Sequence, residues 1–355
     1  MPIKTSVFIP VAAVLLIPLS FLVLSKSRPD KSSTESEKAI TLEVNNQYVS
    51  PISIDYLRSL DIQADSVKIE DELTAGTNYR KYLASYYSEG NKVYGLLTVP
   101  TVATPEGGFP AIVFNHGYIP PAQYKTTEGY VAYVDNLARN GFVVFKIDYR
   151  GNGESEGDPS GSYFSSAYTI DTISALKSLQ KFETVNPNRI GMWGHSMAGN
   201  LVLRAMLVSS EIKAGVIWAG AVYSYRDFVA YRINDTSYAH RPFETKEGEE
   251  QRNRETSPNI QKIREDPDSV DFADPFWTSI SLTANLKYLE NPIQIHHALD
   301  DAVVDVGYSR DLVEVLKTAN KLYEFYEYDG GGHNITSPYF ETAMERTVEF
   351  FRKTL

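Results

Sequence analysis

The pattern of apolar residues along the chain differs before and after residue 100. Between residues 41 and 100, apolar residues occur in short runs bounded by turn residues, which is typical of antiparallel strands. After Pro110, short apolar runs alternate with longer runs of helical period, which is typical of a parallel sheet covered by helices. The pattern therefore predicts an α/β fold with a mostly parallel central sheet and antiparallel N-terminal strands.

The predicted elements follow one another along the chain with one long interruption. Antiparallel strands are predicted at 66–69, 82–86 and 93–97, parallel strands at 111–114, 142–147, 190–193, 214–218, 293–295 and 322–328, and helices at 130–138, 170–179, 201–207 and 340–351. Connections in such folds usually need about 2–6 residues. Residues 223–287 are far longer than that, so we predict an insertion with structure of its own.

The first 40 residues differ from the rest of the chain. Residues 7–24 carry no charge, and as a helix they would be about 27 Å long, nearly enough to span a bilayer. Residues 1–25 therefore fit either a membrane anchor, with membrane association through 7–24, or a cleaved signal peptide. Both interpretations predict an extracytoplasmic protein, secreted or membrane-anchored, with residues 26–40 as a polar linker and 41–355 as the globular domain.

Composition and charge exclude several classes of function. The 355 residues include 34 Lys plus Arg and 45 Asp plus Glu, a net charge of −11, which repels a phosphate backbone and argues against nucleic-acid binding. Cysteine is absent, which excludes a disulfide framework, a thiolate nucleophile, a cysteine-ligated zinc and a lipid anchor on cysteine.

Two segments resemble the Gly-x-Ser-x-Gly pattern of a serine on a tight turn between a strand and a helix. Residues 153–157 match it fully, whereas 194–198 end in alanine. Ser196, however, follows a predicted strand and precedes a predicted helix, while Ser155 is followed by Asp158 and Pro159, where no helix can begin. We therefore predict Ser196 as a nucleophile and Ser155 as a turn residue.

A serine hydroxyl needs a neighbouring base, and imidazole is the usual one. Of six histidines, His333 alone follows the last predicted strand in a glycine-rich loop, and the chain order Ser, acid, His of an α/β-hydrolase sheet fits it. The acid should follow the strand at 293–295, where sequence physics does not separate Asp300 from Asp301. A metal site is the alternative for such a cluster, but no His-x-His or His-Glu-x-x-His spacing occurs, so neither metal nor cofactor is predicted.

Together these motifs resemble the prolyl-oligopeptidase-like branch of the α/β-hydrolase superfamily. The resemblance covers roughly residues 66–355 and rests on segments 94–100, 115–117, 148–155, 194–199, 296–305 and 332–333. It implies that the acid stands four residues after the histidine that ends the seventh strand of that family, hence Asp300 after His296. It also implies an oxyanion hole formed by the backbone N–H groups of Tyr118 and Met197.

The segment that follows this acid departs from the family pattern at two positions. His297 and Asp305 stand where the family usually has glycine and proline.

The substrate is a small acyl compound in this interpretation. Peptidases of the family carry a β-propeller, but about 70 residues before Pro100 cannot hold blades of about 40 residues each. The insertion at 223–287, between the family's strands six and seven, resembles the cap of esterases, including feruloyl-type esterases. Its aromatic residues could roof an acyl pocket or form the cap's own core; the predicted pocket residues are Tyr223, Tyr225, Phe228 and Trp277.

We therefore predict a serine esterase that acts on a small-molecule acyl ester. A serine peptidase that acts on short peptides is the alternative, since it would use the same triad. An inactive hydrolase-like binding module is a remote third interpretation.

Overall fold

The structure, a computed structural model, describes residues 49–159, 161–231, 259, 262–263 and 266–355. These residues belong to one unit of the chain, Tyr48–Leu355. The predicted signal peptide or anchor and the polar linker lie outside the described residues. Within the described ranges, no helix combines the length and apolar character that crossing a membrane requires.

Nine strands form a single sheet in the order β1-β2-β3-β5-β4-β6-β7-β8-β9. The strands are β1 (Lys68–Leu73), β2 (Tyr79–Ser88), β3 (Asn91–Pro100), β4 (Phe109–Asn115), β5 (Val143–Ile147), β6 (Val185–His195), β7 (Gly215–Trp218), β8 (Ile293–Ala298) and β9 (Tyr323–Tyr328). β1, β2 and β3 pair antiparallel, β3 also pairs antiparallel with β5, and every later pairing is parallel. The predicted fold class is confirmed.

Helices of the described ranges flank this sheet on both faces. They are α1 (Ile54–Ser59), α2 (Val131–Arg139), α3 (Ala167–Gln180), α4 (Met197–Val208), α5 (Tyr225–Tyr231), α6 (Pro275–Ile280), α7 (Gly307–Thr318) and α8 (Phe340–Thr354). One hydrophobic core lies on each face of the sheet, because successive side chains of a strand point to opposite faces. On β6, for example, Met192 packs in the core shared with α3 and α4, and Trp193 packs in the core shared with α2 and α8.

The parallel strands bring distant parts of the chain to one edge of the sheet. β4, β6, β8 and β9 all run in the same direction, so the segments that follow Asn115, His195, Ala298 and Tyr328 lie at the same edge. Ligand sites of open α/β sheets form at this edge. The predicted catalytic and oxyanion-hole residues all follow these strands, and the predicted pocket residues follow β7.

Three aromatic residues of the insertion between β7 and β8 pack inward. Tyr223, Tyr225 and Trp277 are 1 to 3% exposed and belong to the core that also contains α4. Tyr225 and Trp277 lie with ring centroids 5.1 Å apart. Residues 232–258, which include Tyr238 and Phe243, lie outside the described residues.

Candidate active site

Ser196 occupies the turn between β6 and α4 in a conformation rare for a residue with a side chain. Its φ of 57° and ψ of −123° lie outside the regions that most residues adopt. Its N–H donates to the carbonyl of Trp218 at 2.9 Å, and its own carbonyl accepts from Gly199 at 2.9 Å. The helix after the turn packs closely against the segment that follows β7. A Cβ on Gly199 would lie 2.6 Å from the Cα of Gly220, so this position has no space for a side chain.

His333 lies beside this turn and is held by a buried carboxylate. Its Nδ1 is 2.8 Å from Oδ2 of Asp301, whose side chain is fully buried, while the His333 side chain is 16% exposed. Since the carboxylate accepts, Nδ1 carries the proton and Nε2 is left with its lone pair. An imidazole in this tautomer can accept a proton from a hydroxyl.

The prediction of Asp300 as the partner of His333 is corrected to Asp301. The Asp300 side chain is exposed, and its Oδ1 accepts a hydrogen bond from the N–H of Gly332 at 2.8 Å. It therefore supports the backbone of the loop that carries His333 and does not contact the imidazole ring through a described hydrogen bond.

The partner of His333 is Asp301 and not Asp300 because two adjacent histidines, His296 and His297, lie at the end of β8. Their side chains point to opposite faces of the sheet, as consecutive strand residues must. His296 contacts Tyr328 and Gln294 on one face, whereas His297 contacts Ser309 and lies 3.3 Å from Asp301 through Nε2. The histidine four residues before the acid is therefore His297.

Asp301 is surrounded by hydrogen-bond donors. Its Oδ1 accepts from the N–H groups of Val303 and Val304 at 2.8 and 2.9 Å. Burial opposes its ionisation, but hydrogen bonds from His297 and His333 outweigh burial and hold the pKa of Asp301 well below its usual range. The carboxylate is thus charged at neutral pH.

A hydrogen-bonded chain through Tyr130 connects three segments of the site. The hydroxyl of Tyr130 accepts from the N–H of Gly117 at 2.9 Å and donates to Nδ1 of His195 at 2.8 Å. Nε2 of His195 in turn donates to the carbonyl of His333 at 2.9 Å, which fixes the direction of the whole chain. Burial lowers the pKa of His195 to about 3, so this imidazole is neutral.

The segment after β4 lies directly against the serine. A Cβ placed on Gly117 would lie 2.7 Å from the hydroxyl of Tyr130 and 3.1 Å from the Cβ of Ser196, so a larger residue would require its neighbours to shift. Tyr118, predicted to supply a backbone N–H, is the next residue and is half-buried. Met197, the other predicted donor, is the first residue of α4 and is 1% exposed.

Two buried charged residues, Lys146 and Asp148, form hydrogen bonds with residues 124–129 of the segment after β4. Nζ of Lys146 donates to the carbonyls of Glu128 and Gly129 at 2.8 and 3.3 Å, just before Tyr130. Asp148 accepts from Tyr124 at 2.7 Å and from Thr126. Burial raises the pKa of Asp148 to about 6, against these hydrogen bonds. Burial likewise lowers the pKa of Lys146 to about 8.

Ser155, the serine of the complete sequence pattern, has a structural position. Its Oγ accepts from the N–H of Tyr94 on β3 at 2.9 Å, and the residue is 8% exposed. Of the residues that the structure describes after it, 156–159 and 161–166, none is helical, and α3 begins at Ala167. The interpretation of Ser155 as a turn residue is confirmed.

The four predicted pocket aromatics separate into two groups. Tyr223, Tyr225 and Trp277 are buried in the core, where their side chains contribute to the packing of the insertion. Their place in a substrate pocket stays a prediction. Phe228 is half-buried and lies edge-on to Phe164, with centroids 6.2 Å apart. Within the described ranges, no group of three His, Asp or Glu side chains is arranged to hold a metal ion.

One residue of this arrangement, Tyr130, was not predicted from the sequence. Asp301 was one of two open candidates, and it stands four residues after His297. Tyr130 had no such signal, because 65 residues separate it from His195.

Known proteins are similar to this chain in sequence and in fold. The chain is 30% identical over 115 residues to an uncharacterized 31.7 kDa protein of Escherichia coli, from the traX-finO intergenic region, across 32% of this chain and 38% of that protein. The match thus spans well under two thirds of that relative.

Two solved structures share the fold. Acetyl xylan esterase from Paenibacillus sp. R4 matches with a TM-score of 0.59 and 19% identity, over 84% of this chain and 92% of the esterase. Dipeptidyl peptidase 4 of Porphyromonas gingivalis matches with a TM-score of 0.60 and 18% identity, over 78% of this chain and 36% of the peptidase. At this identity the likeness concerns the fold alone.

The family assignment rests on a longer match. The profile of the serine aminopeptidase S33 family matches residues 110–338, well over half of the chain. That range contains the turn of Ser196, the carboxylate of Asp301 and the imidazole of His333. This chain belongs to the serine aminopeptidase S33 family, and it is an α/β-hydrolase of the serine hydrolase type.

Proposed function

We propose that this protein hydrolyses carboxylic esters through Ser196, His333 and Asp301. The observation that carries the proposal is the 2.8 Å hydrogen bond from Nδ1 of His333 to a buried carboxylate, beside a serine on a strained strand-to-helix turn. Each group then has a chemical role: Ser196 attacks, His333 transfers the proton, and Asp301 fixes the tautomer and stabilises the imidazolium.

The reaction proceeds through an acyl-enzyme. Oγ of Ser196 attacks the ester carbonyl while Nε2 of His333 takes its proton, and the resulting oxyanion accepts hydrogen bonds from the N–H groups of Tyr118 and Met197. Collapse of this intermediate breaks the bond to the alcohol oxygen, which takes the proton from His333. Water activated by His333 then attacks the acyl-enzyme and releases the acid, which restores the Ser196 hydroxyl.

The extent of the structural matches supports an ester as substrate. The acetyl xylan esterase aligns over nearly its whole length, whereas the dipeptidyl peptidase aligns over about a third. This difference in alignment extent favours an ester over a longer peptide as the substrate. The partner of this site is a small-molecule acyl ester.

A serine peptidase that acts on short peptides is the second candidate. It is favoured by the description of the family itself, serine aminopeptidase. The same triad would serve both reactions, because ester and amide hydrolysis share the acyl-enzyme.

Turnover of matched substrates separates the two candidates. We expect aryl and short-chain esters to be hydrolysed with kcat/KM of about 10⁴ M⁻¹s⁻¹ or more. Aminoacyl and prolyl anilides should be at least about 100-fold poorer after each rate is divided by its uncatalysed rate. If an anilide is the better substrate after that correction, the peptidase is correct.

A further inference from the structure

A cleft of about 610 Å³ lies beside the loop that carries His333. One wall is the start of α2, with Tyr130 and Tyr133, and the other is the segment from Asn334 to the first residues of α8, with Thr336 and Phe340. Its volume is within the range of about 300–1,000 Å³ that small-molecule sites occupy.

Two walls of the cleft are tied to the reacting groups. Asn334 directly follows His333, and its carbonyl accepts from the hydroxyl of Tyr133 at 2.7 Å, which fixes this part of the loop against α2. Tyr130, on the same wall as Tyr133, contacts Gly117 and His195 through its hydroxyl. The cleft therefore lies on the side of the His333 loop, which it adjoins through Asn334; neither Ser196 nor His333 is among its lining residues.

The chemistry of acyl transfer says what belongs on that side. His333 gives its proton to the departing oxygen, so the leaving group must lie near the imidazole when the tetrahedral intermediate collapses. We propose that this cleft is the subsite for the alcohol half of the ester. This assignment rests on the proposed function.

The side chains of the cleft define the class of alcohol. Tyr130, Tyr133 and Phe340 supply aromatic surface, and Asn334 and Thr336 supply hydrogen-bonding groups. The one charged residue of the lining is a carboxylate, Glu341. Aromatic walls bind flat apolar groups, and a carboxylate repels an anion. The alcohol that fits is therefore neutral and carries a ring.

The first test narrows the cleft. Ala132 is an exposed residue of α2 that lines the cleft, so Ala132→Trp fills space with little risk to folding. Thr342→Trp, at an exposed position of α8 outside the lining, is the matched control. Substrates are two series of esters: one acyl group with methyl, benzyl and naphthylmethyl alcohols, and one alcohol with acyl chains of increasing length.

We expect Ala132→Trp to lower the ratio of kcat/KM for naphthylmethyl over methyl esters at least 10-fold and to leave the acyl-chain ratios within about twofold. Thr342→Trp should change neither ratio. Because all esters of one acyl group share the same deacylation step, a kcat limited by deacylation should stay constant along the alcohol series. A change confined to the acyl series would overturn the assignment.

A second variant tests the role of the Glu341 charge and should increase activity on one class of ester. Glu341→Lys should raise kcat/KM about 5-fold or more for an ester whose alcohol carries a carboxylate, and not for one whose acyl half carries it. Glu345→Lys, one turn along the exposed face of α8, is the control. Equal gains in both variants, or a gain with the acyl carboxylate, would contradict the proposal.

The same experiments test the alcohol subsite independently of whether the substrate is an ester. If amides prove to be the better substrates, the leaving amine is varied in place of the alcohol. Effects confined to the leaving amine support the cleft although the ester proposal fails, and effects confined to the acyl half overturn it for either substrate.

Discussion

The carboxylate of Asp301 accepts a hydrogen bond from Nδ1 of His333 at 2.8 Å, across a separation of 32 residues in the chain. The neighbouring carboxylate of Asp300 instead accepts from the backbone of Gly332. Two adjacent acidic residues therefore support the same loop in different ways, one through the imidazole ring and the other through the main chain.

This difference predicts opposite outcomes for two conservative variants. Asp301→Asn should lower kcat by about 10³ to 10⁴-fold with little change in KM, because the amide no longer fixes the tautomer or stabilises the imidazolium. Asp300→Asn should stay within about 10-fold of the parent, because an amide oxygen can still accept from Gly332. Steady-state kinetics on an aryl ester measures both, and a larger loss in Asp300→Asn would return the acid to that position.

The hydroxyl of Tyr130 should matter for rate more than for binding. Tyr130→Phe removes the acceptor of the Gly117 N–H and the donor to His195, and losing buried hydrogen bonds of this kind costs about 1–3 kcal/mol. We expect kcat to fall about 5 to 100-fold and KM to change less, because Tyr130 positions the backbone beside Ser196.

Tyr79→Phe is a suitable comparison for this variant. It removes a tyrosine hydroxyl that bonds to Asp135, away from the site. Equal kinetic losses in Tyr79→Phe and Tyr130→Phe would show that the effect of Tyr130 is a general loss of stability.

Because Asp148 is buried, we expect the free energy of unfolding to depend on pH. Its pKa is about 6 in the folded protein and about 3.9 in an unfolded chain, so between these values the folded state binds more protons. The contribution of Asp148 to the free energy of unfolding therefore falls as pH rises from about 4 to 6. Asp148→Asn does not ionise, so this fall is absent in the variant.

The measurement is urea unfolding of both proteins at several pH values. The free energy of unfolding of Asp148→Asn minus that of the parent should rise by about 1–3 kcal/mol between pH 4 and pH 7. The difference cancels contributions from other titrating groups that both proteins share. A difference that is constant or falls with pH would mean that Asp148 is not destabilised by burial.

The strand-to-helix turn at Ser196 was accessible from the sequence because its signal is local. The strand at 190–193, the turn at Ser196 and the helix after it are adjacent in the chain, and the structure extends the same elements to Val185–His195 and Met197–Val208. Ser155 matched the residue pattern better, but Pro159 excluded the helix that the geometry requires.

The identity of the acid required the direction of each side chain on β8. Either His296 or His297 could serve as the reference for counting four residues, and only the pleat of the strand decides which one faces Asp301. The presence of a histidine where the family usually has glycine was the one sign that the count was ambiguous.

Burial of the aromatic residues in the insertion was not readable from their sequence. Tyr225, for example, lies against Trp277 and Phe164, which are 52 and 61 residues away in the chain. Contacts of this kind depend on how the insertion folds back on α4. The sequence supplies the aromatic content and leaves its distribution between core and pocket to the tertiary structure.

The central claim is that Ser196 is the nucleophile of a working serine hydrolase, and covalent labelling by a fluorophosphonate tests it most directly. Labelling of the parent protein, of Ser196→Ala and of Ser155→Ala is followed by intact mass, and the modified residue is identified in a peptide digest. We expect one adduct, on Ser196, in the parent and in Ser155→Ala, and no adduct in Ser196→Ala. Persistent labelling of Ser196→Ala, or no labelling of the parent, would contradict it.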